Sequence, residues 1–160
     1  MKPICSLILL TLTLITSNSF AGLNQAPEIN LPGINKTIQL KNYKGKVVYL
    51  DFWASWCLPC KESFPWMQRL KQSHEAQGFE IIAINLDKDR SLANYFLKNV
   101  DVNFEVAFDE SGQSASLYKL KGMPSSYLIG RDGKVHASHI GFREKDKQRL
   151  EQAVISLLNK

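Results

Sequence analysis

Two cysteines, Cys57 and Cys60, stand in the run Trp56-Cys57-Leu58-Pro59-Cys60, spaced C-x-x-C. Thiols this close support three chemistries: reversible dithiol–disulfide exchange, a share of a zinc site, or a fixed structural disulfide. Their setting bears on the choice. Residues 47–53, Val-Val-Tyr-Leu-Asp-Phe-Trp, are apolar almost throughout and rich in β-branched and aromatic types, as expected of a strand covered on both faces. After Cys60 the spacing turns helical, with Phe64, Met67, Leu70 and His74 along one face. The pair therefore sits where a strand gives way to the start of a helix. Unpaired backbone N–H groups and the positive end of the helix dipole favour a thiolate there. Cys57 is expected at that end with its sulfur exposed, and Cys60 one turn inside and shielded. This gives an attacking and a resolving thiol. Spacing alone leaves the zinc and structural-disulfide readings open.

The surrounding elements follow from local pattern. Residues 24–46 form an N-terminal extension, with a hairpin of Glu28–Leu31 and Thr37–Leu40 about the Pro32-Gly33 turn. The helix after Cys60 is kinked at Pro65 and ends at Gly78. A second strand, Phe79–Leu86, completes a right-handed βαβ unit. Then come a helix near Ser91–Asn99, a strand near Glu105–Phe108 and a helix near Gln113–Leu120. Strands near Ser125–Ile129 and Lys134–Ser138 flank the Asp132-Gly133 turn. The last helix, about Arg143–Asn159, carries Leu150, Ala153, Val154, Leu157 and Leu158 at helical spacing.

Residues 1–21 have the layout of a secretory signal peptide. Lys2 is the basic start, Ile4 to Ile15 are largely apolar, and Ser19-Phe20-Ala21 is a small-x-small cleavage site. The apolar run is shorter than the roughly 20 residues a spanning helix needs, so an uncleaved anchor is the minor alternative. Cleavage removes Cys5 and leaves one domain, residues 22–160, with 19 basic and 15 acidic residues, a net charge of +4. These charges are dispersed, with no basic run and no interleaved aromatic stripe, which excludes a nucleic-acid site. A C-x-x-C loop is too short for its closure to restrict the unfolded chain much, so redox chemistry accounts for the pair better than a staple does.

The flanks of the pair resemble the thioredoxin superfamily. The likeness rests on Asp51-Phe52-Trp53-Ala54-x-Trp56-Cys57-x-Pro59-Cys60-Lys61, with Pro65 beyond. Downstream, Gly122-Met123-Pro124-Ser125 is similar to that family's cis-proline loop, and Gly141 to the glycine before its last helix. The inserted αβ unit, the hairpin and the signal peptide resemble the TlpA/ResA-like branch. The resemblance implies an α/β, thioredoxin-like fold: a central mixed sheet flanked by helices. It implies a monomeric periplasmic thiol–disulfide oxidoreductase with no bound cofactor and no metal, its electrons carried by Cys57 and Cys60. It would reduce protein disulfides, with those of apocytochromes c as examples, and be kept reduced by a membrane thiol donor.

The same resemblance places Asp51 beneath the cysteines as a buried acid that exchanges a proton with Cys60, and gives Trp56, Met123 and Pro124 contacts with substrate. Trp53 is assigned to the core. Two departures stand out. The lysine that accompanies the buried acid in thioredoxin is replaced by Ala83, and the glutamate that many TlpA/ResA-like proteins carry three residues after the second cysteine is replaced by Ser63. His136 and His139, three apart on a strand, point to opposite faces and do not complete a Cys₂His₂ metal site. Ala54 stands where a peroxidatic cysteine needs Thr or Ser. The alternative class is a binding protein, a metal chaperone or adaptor with the cysteines as ligands.

Overall fold

The computed structural model describes residues 25–160; the signal-peptide expectation for residues 1–21 lies outside them. A two-stranded hairpin comes first, β1 (Asn30–Pro32) against β2 (Thr37–Gln39). Nine further strands and α-helices follow: β3 (Val47–Trp53), α1 (Leu58–His74), β4 (Phe79–Asn85), α2 (Arg90–Leu97), β5 (Glu105–Phe108), α3 (Gln113–Leu117), β6 (Ser125–Ile129), β7 (Val135–Ile140) and α4 (Lys147–Leu158). The main sheet runs β5-β4-β3-β6-β7. β3, β4 and β5 are parallel, whereas β6 and β7 are antiparallel to their neighbours. The expected mixed sheet, N-terminal hairpin and inserted αβ unit, α2 with β5, are all present. No helix among the described residues is long and apolar enough to cross a membrane.

The central strand explains its own composition. Every residue of β3 is buried, because helices cover one face and the hairpin region with Tyr118 covers the other. Alternation then sorts the side chains. Val47, Tyr49 and Trp53 join the core beneath α1 and α4, while Val48, Leu50 and Phe52 join the core with Ile29, Ile38 and Tyr118. Under α1, Trp53, Phe64 and Phe96 form a triangle of rings with centroids 4.9–5.2 Å apart. Such pairs contribute about 0.5–1.5 kcal/mol each beyond their burial. They bind α1 and α2 to the end of β3, just where the cysteines emerge.

Several boundaries differ from the sequence expectation. α1 continues unbroken through Pro65, which lacks the N–H that would return to the Lys61 carbonyl. α3 is a single short turn of helix, and α4 begins at Lys147 after a 3₁₀ turn at Glu144–Asp146. At the pole remote from the cysteines, Arg131 donates to the carbonyls of Gly45 at 2.7 Å and Gln77 at 2.8 Å, tying two loops to the β6–β7 turn.

The hairpin is seated by Gly33. Its backbone bridges Ala107 of the edge strand β5, its carbonyl accepts from Arg90 at 3.0 Å, and Lys36 pairs with Glu105 at 2.6 Å. A Cβ at Gly33 would lie 2.5 Å from the Lys36 carbonyl oxygen and 3.0 Å from that of Val106, both backbone atoms that cannot swing aside. Gly33→Ala is therefore expected to destabilise the fold by about 1–3 kcal/mol, seen as a lower denaturant midpoint at unchanged slope.

Candidate active site

β3 delivers the chain to one edge of the sheet, and residues 54–56 turn it into α1. The turn closes with Cys57 N–H donating to the Ala54 carbonyl at 3.1 Å. Cys57 is the cap residue of α1, still extended at φ −88° and ψ 101°, and its carbonyl accepts the first helical hydrogen bond from Lys61 at 3.2 Å. No side chain caps this helix end. Pro59, in the first turn, has no N–H, so Leu58 and Cys60 supply the free donors at the sulfur-bearing end.

Cys57 and Cys60 are joined as a disulfide with Cα atoms 5.3 Å apart. Cys60 is wholly buried, and Cys57 retains only 5% exposure. The sequence expectation of an open Cys57 sulfur is corrected to this extent: the cap position draws the residue into the core beneath α1. What projects instead are its neighbours, Trp56 at 70% and Leu58 at 66% exposure. Cys57 remains the more exposed of the two residues.

Asp51 lies on the α1 side of β3, in the same row as Tyr49 and Trp53. Across the sheet it is paired with Ala83 of β4 and Ser126 of β6. The register thus sets the methyl group of Ala83, and no lysine, opposite Asp51 on β4. Asp51 is buried, its Oδ2 has no hydrogen-bond partner, and burial pushes its carboxyl well above the usual carboxylate range. The Nε1 of Trp53 is likewise buried and unpartnered. Two unsatisfied polar groups on one row are a local cost, typical of a site where folding stability yields to chemistry.

A second acid, Asp87, was not singled out from sequence. It follows β4 and is buried. Its Oδ2 accepts from Ser55 N at 2.9 Å and Asn85 Nδ2 at 2.8 Å, and its Oδ1 accepts from Ser55 Oγ at 3.0 Å. Asn85 Oδ1 in turn accepts from Asp87 N at 3.1 Å. Asp87 and Asn85 together grip the turn that carries Trp56 and Cys57. The available signal was positional: Asn85-x-Asp87 ends a strand parallel to β3, hence at the same edge of the sheet as the cysteines.

Ser63 is buried, and its hydroxyl donates to the Cys60 carbonyl at 2.7 Å, while Glu62 is exposed. The position of the family glutamate thus holds a neutral group bonded to the helix backbone. On the other side, β6 pairs Ser125 with Phe52, which brings the preceding loop beside the end of β3. The Met123–Pro124 peptide bond is cis, as the resemblance implied. The Pro124 carbonyl accepts from Gly141 N at 2.7 Å, and Met123 is half-buried against the α1 core. Trp66 packs between Tyr49 and Phe142 and is not part of the site. His136 sits 3.0 Å from Asp132, and His139 lies 3.5 Å from Asp146 and 3.0 Å from Arg149. Among the described residues no cluster of three or more His, Cys, Asp or Glu could hold a metal.

A family model described as the AhpC/TSA family matches residues 23–138. The chain belongs to this family. Among its relatives, the thiol-disulfide oxidoreductase ResA of Bacillus thuringiensis subsp. konkukian is 39% identical over 117 residues, 73% of this chain. That match spans 66% of the relative, just under two thirds of its length. A crystal structure from Chlorobium tepidum, of a protein named as a thiol:disulfide interchange protein DsbE, is 48% identical with a TM-score of 0.84, covering 86% of this chain and 97% of that one. The exposed lipoprotein thioredoxin Etrx1 of Streptococcus pneumoniae is 30% identical with a TM-score of 0.70, covering 82% and 100%. This AhpC/TSA member thus has a thioredoxin-like fold and a C-x-x-C pair of the ResA/DsbE type.

Asp51 sets a pH signature on stability. Its folded pKa lies above the unfolded value near 3.9, so above that pH the unfolded state binds fewer protons and stability falls as pH rises toward the folded value. Asp51→Asn removes this penalty. Thermal melts should show the variant more stable than the parent at pH 7, with the gap closing toward about pH 4.

Proposed function

We propose that the chain is an extracytoplasmic thiol–disulfide oxidoreductase that reduces disulfides in protein substrates. The observation that supports this most is the C-x-x-C disulfide at the cap of α1, Cys60 wholly enclosed and Cys57 5% exposed, on the sheet face that also carries a buried acid. In the reduced protein, Cys57 attacks a substrate disulfide as the thiolate. A Cys57–substrate bond forms and the first substrate sulfur leaves with the electron pair. Cys60 then attacks Cys57 Sγ. The Cys57–Cys60 bond forms, the second substrate sulfur leaves, and the Cys60 proton passes to the Asp51 carboxylate. The substrate gains two electrons and the protein ends as the disulfide. An acid whose proton affinity burial has raised toward that of a thiol makes this exchange inexpensive.

Trp56 and the Met123-Pro124 loop border Cys57 as the surface for substrate, with the backbone at Met123 offering hydrogen bonds to an extended segment. Ala21 is the proposed cleavage point, and the mature chain acts as a monomer in the periplasm, reduced by a membrane thiol carrier. Disulfides of proteins such as apocytochromes c are the proposed substrates, as the TlpA/ResA-like resemblance implies.

The direction of transfer follows from what surrounds Cys57. Leu58 is apolar and exposed, Pro59 offers no donor, and Lys61 is drawn over the Phe96 ring, 5.7 Å from its centroid. The helix end is left as the principal stabiliser of the thiolate, which sets a potential on the reducing side, below about −200 mV. Equilibration with glutathione buffers measures it, and a value near −120 mV would reverse the assigned direction.

Turnover is tested with a disulfide-linked model peptide. The reduced protein should cleave it, and Cys57→Ser should abolish cleavage. Asp51→Asn should slow resolution of the mixed disulfide by about 10²-fold or more, with unchanged single-turnover rates removing Asp51 from the mechanism. Protection of both thiols by Zn(II) or Cu(I), without peptide cleavage, would instead assign a metal carrier.

A further inference from the structure

Two carboxyl groups lie near the cysteine pair, and they are handled in opposite ways. Burial raises the proton affinity of Asp51, which lacks a partner at Oδ2. Asp87 is equally buried, but both of its oxygens accept hydrogen bonds: two from Ser55 and one from Asn85. Acceptance on both oxygens is the pattern of an ionised carboxylate. No cation offsets it. Among the described residues Asp87 forms no ion pair, and the adjacent Lys88 instead donates to the carbonyls of Glu110 and Ser111. A full negative charge thus sits behind the turn that leads into α1.

The chain geometry bounds its distance from the reacting sulfur. Ser55 N is 2.9 Å from Asp87 Oδ2, and Cys57 lies only two residues on, in a turn closed by the bond from Cys57 N to the Ala54 carbonyl. Two residues span at most about 7 Å of chain, which sets the carboxylate on the order of 10 Å from Cys57 Sγ. Asp87 and Cys57 are both buried, and buried charges are screened by salt less than exposed ones.

We propose that Asp87 is a positioning and tuning residue: it holds the Ser55–Cys57 turn through hydrogen bonds, and its charge opposes the helix N-terminal field at Cys57 and biases the pair toward reducing potential. This rests on the reading of Cys57 as the attacking thiolate. The other groups facing Cys57 do not supply the same effect. Burial disfavours the charged form of Asp51 on β3, Cys60 on α1 is the disulfide partner of Cys57, and Lys61 is engaged with Phe96. Asp87 lowers the stability of the Cys57 thiolate, and hence of the reduced pair, without touching substrate.

The test separates charge from hold. Asp87→Asn keeps the shape and an acceptor for Ser55 but removes the charge. Ser55→Ala keeps the charge and removes one of the hydrogen bonds. Thiolate absorbance against pH gives the Cys57 pKa, and glutathione equilibration gives the potential. In Asp87→Asn the thiolate should be favoured by roughly three- to tenfold, as expected for unit charges about this far apart at an intermediate dielectric. The potential should rise with it, by about 30 mV for a tenfold change. Ser55→Ala should leave both near the parent values. If Asp87→Asn does not fold, Asp87→Ser neutralises the same position without turning an amide toward the Ser55 N–H, and carries the same expectation. A folded neutral variant with unchanged pKa and potential overturns the inference, and so does an equal shift in Ser55→Ala, which would assign the effect to the turn's position alone. These are equilibrium readings of the protein itself. Failure to cleave any peptide disulfide would refute the proposed function while leaving the pKa and potential comparison intact.

Discussion

The parallel register of β3 on β4, which sets Trp53 beside Asn85, fixes nearly everything that matters at the cysteines. It ends both strands at one edge of the sheet, and the bond from Leu86 N to the Trp53 carbonyl at 2.9 Å carries the pairing to the last residue. Cys57 lies just past one strand and Asp87 just past the other. The same register puts Ala83 opposite Asp51. A slip of one residue would turn Asp51 to the hairpin side and Leu50 toward α1. The slip is opposed by seven consecutive buried residues on β3 and seven on β4, their apolar side chains sorted between the two cores.

On that frame, apolar burial carries the stability and polar burial carries the chemistry. Trp53 shows the two together. Its ring is part of the aromatic triangle under α1, while its Nε1 is left without a partner. An unpartnered buried donor or acceptor costs about 1–3 kcal/mol, comparable to what one fully buried large apolar side chain contributes. The core surrounding Asp51 and Trp53 contains many such side chains, so the fold tolerates both polar groups. Asp87 represents the other solution, a buried carboxylate supplied with donors.

Much of this was legible in the chain, for identifiable reasons. β3, β5 and β6 fall where apolar and β-branched content placed them, because buried strands leave a dense apolar trace. The cis bond before Pro124 and the row holding Asp51 followed from the resemblance. Misplaced boundaries lie where local signals are weak. β7 runs on to Ile140 although four of its six residues are exposed, because cross-strand hydrogen bonding to β6 holds it. The site was harder. That Cys57 is drawn inward, that Ser63 serves the Cys60 carbonyl, and that Asp87 grips Ser55 across 32 residues of sequence depend on tertiary pairing. An aspartate after a strand carries no local mark of what it will hold.

Arg131 has a consequence for kinetics. Its hydrogen bonds join it to Gly45 and Gln77, 86 and 54 residues away along the chain. Contacts of such long sequence separation form only after the sheet has brought those loops together, so they contribute little to the barrier the folding chain must climb. Interactions absent from the transition state act mainly on the reverse rate. The guanidinium is thus a latch on the far pole, closed late in assembly and slowing escape from the native state, at the end of the molecule where no redox chemistry takes place.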